Sequence, residues 1–247
     1  MVNHNTAGLD SDIRSIGTAI GLTFAPIFIG SVVVLGASSA LLAVGIDVSS
    51  RPSLRLLLST VLLQGFTFGG IALLYLKVRD LRADFVSVSL PDRRDSIVTI
   101  IGTICLIILL LSVSGILSIL GIESAQNTVV TIGQRNPVVF LVLIPLSFLL
   151  VGPGEELLYR GLVQGTLAET LHPTRAVVLA SALFASIHLF SLSGEGKLIY
   201  IGIAFILAWV LGGAYEYTGN LTVPALMHGA YNALQFAGAY INATGGF

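Results

Sequence analysis

Two adjacent glutamates, Glu155 and Glu156, lie within an otherwise apolar stretch of the chain. On insertion scales, an Asp, Lys or Arg at the centre of a membrane helix costs about 2.5–3.5 kcal/mol, so ionisable residues there are functional by default. Glu156 and Arg160 are four positions apart, share one helical face and can form an ion pair. Glu155 points about 100° away and is free to face another partner. We therefore expect Glu155 to handle a proton or a water molecule, and Glu156 with Arg160 to support the geometry. The alternative is an ion network that only packs helices.

Two later apolar segments carry histidines with a second residue at helical spacing. His188 follows Phe184 by four positions, and Asn232 follows His228 by four, so each pair shares a helical face. Histidine is the usual side chain for proton transfer near neutral pH and the commonest metal ligand. An imidazole and a carboxamide on one face can donate hydrogen bonds to a developing oxyanion. Taken alone, the His188 segment favours a hydrogen-bonded core histidine, and the His228 segment is equally compatible with function and with helix packing. Their functional interpretation depends on a bundle that brings them together.

The elements that must position these residues are membrane helices. The chain has 247 residues, of which 55% are hydrophobic and 10% charged, and its mean hydropathy is +0.94. Soluble domains carry about 25% charged residues, and the net charge of −1 argues against a nucleic-acid partner. A membrane helix needs about 20 apolar residues. We predict an all-α, polytopic transmembrane helix bundle of about seven helices (range 6–8), over about 16–46, 55–77, 97–121, 137–165, 175–192, 198–218 and 221–243.

The chain reads as one membrane domain over residues 1–247, without repeats or a soluble domain. Residues 1–15 form a polar N-terminal tail without the basic region of a signal peptide. Residues 16–136 hold the first helices and a basic loop, and 137–236 hold the helices with the candidate site. Loops rich in Lys and Arg lie in the cytoplasm. We therefore expect a cytoplasmic position for the loop that carries Lys77, Arg79, Arg82, Arg93 and Arg94.

Three motifs in order resemble those of the CAAX prenyl endopeptidase and bacteriocin-processing family, also called CPBP or Abi. They are Glu-Glu-x-x-x-Arg at 155–160, Phe-x-x-x-His at 184–188 and His-x-x-x-Asn at 228–232, and the resemblance covers about 137–236. It implies an intramembrane endopeptidase in the plasma membrane of a prokaryote, with its active site facing the cytoplasm. By position, Glu155 and His188 would activate a water, His228 and Asn232 would stabilise the oxyanion, and the supporting residues would be Glu156, Arg160 and Phe184.

The family resemblance also implies a mechanism that needs no metal. From the residues alone, zinc would accept Glu155, His188 and His228 with an open fourth position. Asn232 is a poor zinc ligand and a good hydrogen-bond donor to an oxyanion. We therefore expect no cofactor, with zinc as the alternative.

The expected partners are membrane lipids and a peptide or lipidated peptide substrate, with no nucleic acid. The candidate substrates are a prenylated C-terminal peptide, a bacteriocin-like leader or a membrane-bound regulator, and the sequence carries no indication of an oligomer. One alternative is a non-proteolytic binding or immunity protein on the same fold. Another is a proton-relay transporter, for which internal pseudo-symmetry between the two halves is expected. All the candidate polar residues lie in the second half.

Overall fold

A computed structural model describes residues 4–81 and 85–245 of the chain. Residues 1–3 of the predicted tail and Arg82 of the basic loop lie outside the described residues. The described part is a bundle of eight helices, which confirms the predicted all-α class. They are α1 (His4–Ala43), α2 (Pro52–Val78), α3 (Arg93–Ile119), α4 (Thr128–Arg135), α5 (Val138–Ala168), α6 (Pro173–Ile187), α7 (Lys197–Thr218) and α8 (Thr222–Ala243).

Six segments of the described chain are long and apolar enough to cross a membrane. They are Gly8–Ala43, Pro52–Val78, Arg93–Ile119, Val138–Ala168, Pro173–Ser191 and Lys197–Thr218. The seventh predicted span, 221–243, is present as α8, but His228, Asn232 and Gln235 make this helix less apolar than the other six. Helix α8 packs against α3 and α5, so its polar residues face the bundle interior where membrane proteins keep such groups.

The predicted fourth span forms α5, which departs from regular α-helical geometry on both sides of the two glutamates. Ser147–Val151 and Leu157–Gln164 are π-helical, and the α-helical turn Gly152–Glu156 lies between them. Pro153 has no backbone N–H to donate, and wide helical turns are common at functional sites. Helix α2 has a similar wide segment over Thr60–Thr67. The two irregular helices are the ones that meet beside Glu155.

Glycines allow α5 to approach its neighbours at backbone distance. A Cβ atom on Gly152 would lie 2.6 Å from the carbonyl oxygen of Ala225, and one on Gly229 would lie 3.0 Å from that of Ser147. Gly154 faces the backbone carbonyl of Gln64 on α2 in the same way. Small residues at helix crossings are typical of membrane bundles, because they let the backbones come close. The turn with the two glutamates is therefore clamped between α2 and α8.

The connections between helices gather at two opposite ends of the bundle. At one end, here called the basic face, the α2–α3 loop (79–92) meets the α7–α8 turn: Leu221 N donates to Ser87 O, and Asn220 Nδ2 donates to Asp95 Oδ2 at 2.7 Å. At the other end, here called the second face, the α3–α4 segment pairs with the segment after α6. Two short antiparallel strands, β1 (Gln126–Asn127) and β2 (Leu192–Ser193), join them.

Candidate active site

The first component of the site is a buried ion pair within α5. Arg160 Nε donates to Glu156 Oε2 at 2.9 Å, as the i, i+4 spacing predicts, and both side chains have no exposed surface. A pair at such depth is retained only with good geometry, because each ion gives up its hydration. Removal of Glu156 would leave the Arg160 charge buried without this partner, and removal of Arg160 would leave Glu156 with one partner fewer.

The second component is His228, whose imidazole lies between the two glutamates. Its Nδ1 donates to Glu156 Oε1 at 2.8 Å, and its Nε2 is 3.9 Å from Glu155 Oε2. The distance between Nε2 and Glu155 is too long for a direct hydrogen bond, but a bound water can bridge such a distance. The angular step along the helix suggested separate partners for the two carboxylates. They share one instead, because an imidazole presents its two nitrogens on opposite edges.

Glu155 has a second partner on a helix outside the predicted site. Gln64 Nε2 of α2 donates to Glu155 Oε1 at 2.9 Å. The sequence argument placed Glu155 beside His188, whereas the contacts recorded for its carboxylate in the described residues are with Gln64 and His228. The signal for Gln64 was present in the sequence, as a lone amide in an apolar run, but it has no partner at helical spacing.

His188 lies at the end of α6, where the chain turns into the short 3₁₀ segment His188–Ser191. Its Nδ1 is 3.1 Å from the carbonyl oxygen of Phe184. A carbonyl only accepts, so Nδ1 carries the proton, and in the neutral ring Nε2 keeps a lone pair. The ring borders the central cavity of the bundle. His188 is therefore placed to accept a proton there.

Phe184 joins the helices of the site through its ring. The ring centroid lies 5.0 Å from that of His188, 5.9 Å from that of His228 and 5.0 Å from that of Tyr159. The guanidinium carbon of Arg160 lies 5.4 Å from the same centroid, within the range of a cation–π contact. Phe184 thus holds α5, α6 and α8 in contact at the depth of the site.

A cavity of about 620 Å³ borders the site, and His188, His228 and Asn232 line it. Leu106 and Leu110 of α3 are among its apolar lining residues. The cavity extends to residues 121–125, in the loop at the second face. Its lining includes neither glutamate, so both carboxylates lie behind His228 as seen from the cavity. Ligand sites also combine apolar walls with convergent polar groups.

A structural or catalytic zinc ion needs at least three protein ligands around one point. Among the described residues, no group of three or more His, Cys, Asp or Glu side chains is arranged to hold one. In the alternative zinc set, His228 Nδ1 is bonded to Glu156 and His188 Nδ1 to a backbone carbonyl. These bonds leave Nε2 of each ring available, as in zinc sites whose histidines donate Nδ1–H to a carboxylate or a carbonyl. The described geometry nevertheless does not gather Glu155, His188 and His228 into one group of ligands.

The fold and this site define an integral membrane protein with carboxylates and histidines inside a helical bundle. Residues 137–234 match the family model described as type II CAAX prenyl endopeptidase Rce1-like. This match supports the family resemblance of the three motifs, all of which lie within these residues. The matched segment contains all seven predicted site residues, while α1, α2 and α3 lie outside it. No curated protein and no solved structure matches the chain.

Proposed function

We propose that the protein is an intramembrane endopeptidase that hydrolyses a peptide bond with a water activated by Glu155 and His188. His228 and Asn232 stabilise the oxyanion of the tetrahedral intermediate. The observation that carries this proposal is the arrangement around His228, which lies between the two buried glutamates and also borders the cavity. The peptide or lipidated peptide substrate occupies the cavity, next to the membrane lipids.

The proposed reaction uses each group for one task. Glu155 accepts a proton from the water as its oxygen bonds to the carbonyl carbon, and the carbonyl becomes an oxyanion. His188, with its Nε2 lone pair, orients that water from the cavity side. When both ring nitrogens of His228 are protonated, Nδ1 donates to Glu156 and Nε2 can donate to the oxyanion. The amide of Asn232 is the second donor to the oxyanion. The C–N bond then breaks as Glu155 passes the proton to the leaving amine.

The supporting groups balance charge in this proposal. With His228 protonated, two carboxylates face two cations, His228 and Arg160, inside the bundle. Glu156 bonds to both cations and holds them at fixed positions. The ring of Phe184 packs against the rings of both histidines. Preorganised charge in a site without bulk water is usually the largest contribution to transition-state stabilisation.

The test is cleavage by the purified full-length protein in lipid vesicles, with a panel of free and lipidated peptides. We expect products from the parent protein and none from Glu155→Ala or His188→Ala, because each variant removes a group that activates water. Mass spectrometry of the products identifies the bond that is cleaved. Cleavage that persists in both variants would contradict the proposal, and binding without cleavage by the parent would favour a non-proteolytic role.

The same assay tests the proposal that no metal takes part. We expect the cleavage rate to stay unchanged after prolonged treatment with a strong chelator. A rate that falls with chelator and returns with added zinc would instead support the set Glu155, His188 and His228 as metal ligands.

We propose that the membrane is the plasma membrane of a prokaryote and that the active site opens to the cytoplasm, as the family resemblance implies. The position of the cavity sets a condition on this orientation. The cavity reaches the loop 121–125 at the second face, whereas the basic loop lies at the other end. If the substrate enters from the cytoplasm through this loop, the basic loop lies on the outer side of the membrane. Loops rich in Lys and Arg are usually cytoplasmic, so this position is the opposite of the one that its charge predicts. The two expectations of the sequence analysis therefore compete.

Cysteine labelling in intact cells separates the two orientations. The variants Glu123→Cys, at the cavity loop, and Leu90→Cys, on the basic face, are made in a Cys105→Ala background, since Cys105 is the single natural cysteine. Both positions are exposed. For a cytoplasmic site, an impermeant maleimide labels Leu90→Cys in intact cells and Glu123→Cys only after permeabilisation. The reverse pattern would place the cavity loop outside and the basic loop in the cytoplasm.

A further inference from the structure

We infer that Gln64 of α2 is a positioning residue for Glu155, which makes the first half of the chain part of the catalytic apparatus. The inference rests on the proposed function, because it assumes that Glu155 accepts a proton. Gln64 lies outside the residues that match the family model, 137–234. Its amide group is nevertheless in direct contact with the carboxylate of Glu155.

The hydrogen bond fixes which oxygen of Glu155 remains for chemistry. Gln64 Nε2 donates to Oε1 at 2.9 Å, and the other oxygen, Oε2, faces His228 Nε2 at 3.9 Å. An ionised carboxylate only accepts hydrogen bonds, so the amide nitrogen of Gln64 must face it. With Oε1 engaged, rotation about the last side-chain bond of Glu155 is restricted. Oε2 is thereby held toward His228, on the side of the cavity.

The backbone contact between α2 and α5 places this amide. The absence of a side chain on Gly154 lets α5 lie directly against the Gln64 carbonyl group. A Cβ atom on the next residue, Gly65, would lie 3.2 Å from the side chain of Leu150. Gln64 also lies within the π-helical segment Thr60–Thr67. The position of the amide is therefore set by the packing of two irregular helices, and a small change in their contact would move it.

The charge of the residue fits a positioning role better than a proton-transfer role. Glutamine neither titrates nor changes the charge of the cluster, which already contains Glu155, Glu156, Arg160 and His228. Gln64 stands alone in the apolar run 61–66, where an unpaired amide is costly. Its bond to Glu155 compensates that cost and holds the carboxylate at the same time. A purely structural role would predict loss of stability, and a positioning role predicts loss of turnover.

The test compares Gln64→Leu with the parent protein in the cleavage assay, with Gln64→Met as a second, more flexible apolar replacement. Loss of a hydrogen bond to a charged group corresponds to about a ten- to hundredfold effect. We expect kcat to fall by about that factor with KM nearly constant, because substrate contacts are unchanged. Phe66→Leu, a neighbouring change on the exposed side of α2, is the control and should keep the parent kcat.

A double-variant cycle shows whether Gln64 acts through Glu155. In a Glu155→Gln background, Gln64→Leu should lower the residual rate by less than twofold, because the carboxylate that it positions is gone. An effect as large as in the parent would contradict the inference, as would Gln64→Leu and Gln64→Met proteins with the parent kcat. In either case, an inactive Glu155→Ala protein would leave the proposed function intact. Absence of cleavage by the parent would instead count against the proposed function itself.

Discussion

Replacement of Glu155 by glutamine is expected to lower kcat by about 10²–10⁴-fold, the usual contribution of a general base. Glutamine has nearly the same size, and its carbonyl oxygen can still accept the hydrogen bond from Gln64. KM and the thermal unfolding midpoint should therefore stay near the parent values. Initial rates over a range of substrate concentrations, together with thermal unfolding of the same preparation, measure all three quantities.

The matched control is Glu169→Gln, which makes the same chemical change at an exposed position after α5. It should retain the parent kcat, because Glu169 is outside the site. If Glu155→Gln has a kcat within about threefold of the parent, Glu155 does not act as the base. The water would then have to be activated by His188 alone, and the division of roles between the two glutamates would be wrong.

Replacement of Arg160 by methionine is expected to lower the free energy of unfolding by about 3–5 kcal/mol, the typical cost of breaking a buried pair on one side. The substitution leaves Glu156 buried with His228 as its remaining partner. It also removes the cation above the Phe184 ring. Denaturant-induced unfolding of the purified protein in detergent, followed by its tryptophan fluorescence, measures the change.

Two further variants show that the effect comes from the unpaired charge. Arg175→Met removes an exposed arginine near the start of α6 and should change the stability by less than about 0.5 kcal/mol. The double variant Glu156→Gln with Arg160→Met removes both charges and should recover part of the loss, since an apolar or neutral replacement of a whole pair is often tolerated. A single Arg160→Met protein as stable as the parent would show that the pair contributes little.

The helices were predictable because a membrane span is a long, continuous run of apolar residues. The seven predicted segments correspond to helices of the structure with shifts of a few residues at most ends. Two features escaped prediction. Helix α1 begins within the segment predicted as a polar tail, and α4 lies between the predicted spans 97–121 and 137–165. The polar start of α1 and the eight-residue helix α4 are not runs of about 20 apolar residues, so a search for membrane spans does not detect them.

Within the candidate site, the contact between residues of one helix was predictable, whereas the contacts between helices were not. Spacing within one helix predicts the pair of Glu156 and Arg160, which are four positions apart. Contacts between helices depend on packing that a single sequence does not encode locally. His228 and Glu156 are 72 positions apart, and Gln64 and Glu155 are 91 apart. The wide turns of α5 also depend on tertiary packing, and they change the directions that a regular helix would give its side chains.

The glycine contacts of α5 have a consequence for how the sequence can vary over evolutionary time. Bulky side chains such as Leu149 and Phe66 point away from the bundle, where lipid tails accept almost any apolar shape. At Gly152 and Gly229, by contrast, a single added methyl group meets backbone atoms that have nowhere to move. At these positions the usual order of tolerance is reversed. The bulky lipid-facing side chains are free to vary, while the two glycines at the helix crossing are under tight constraint.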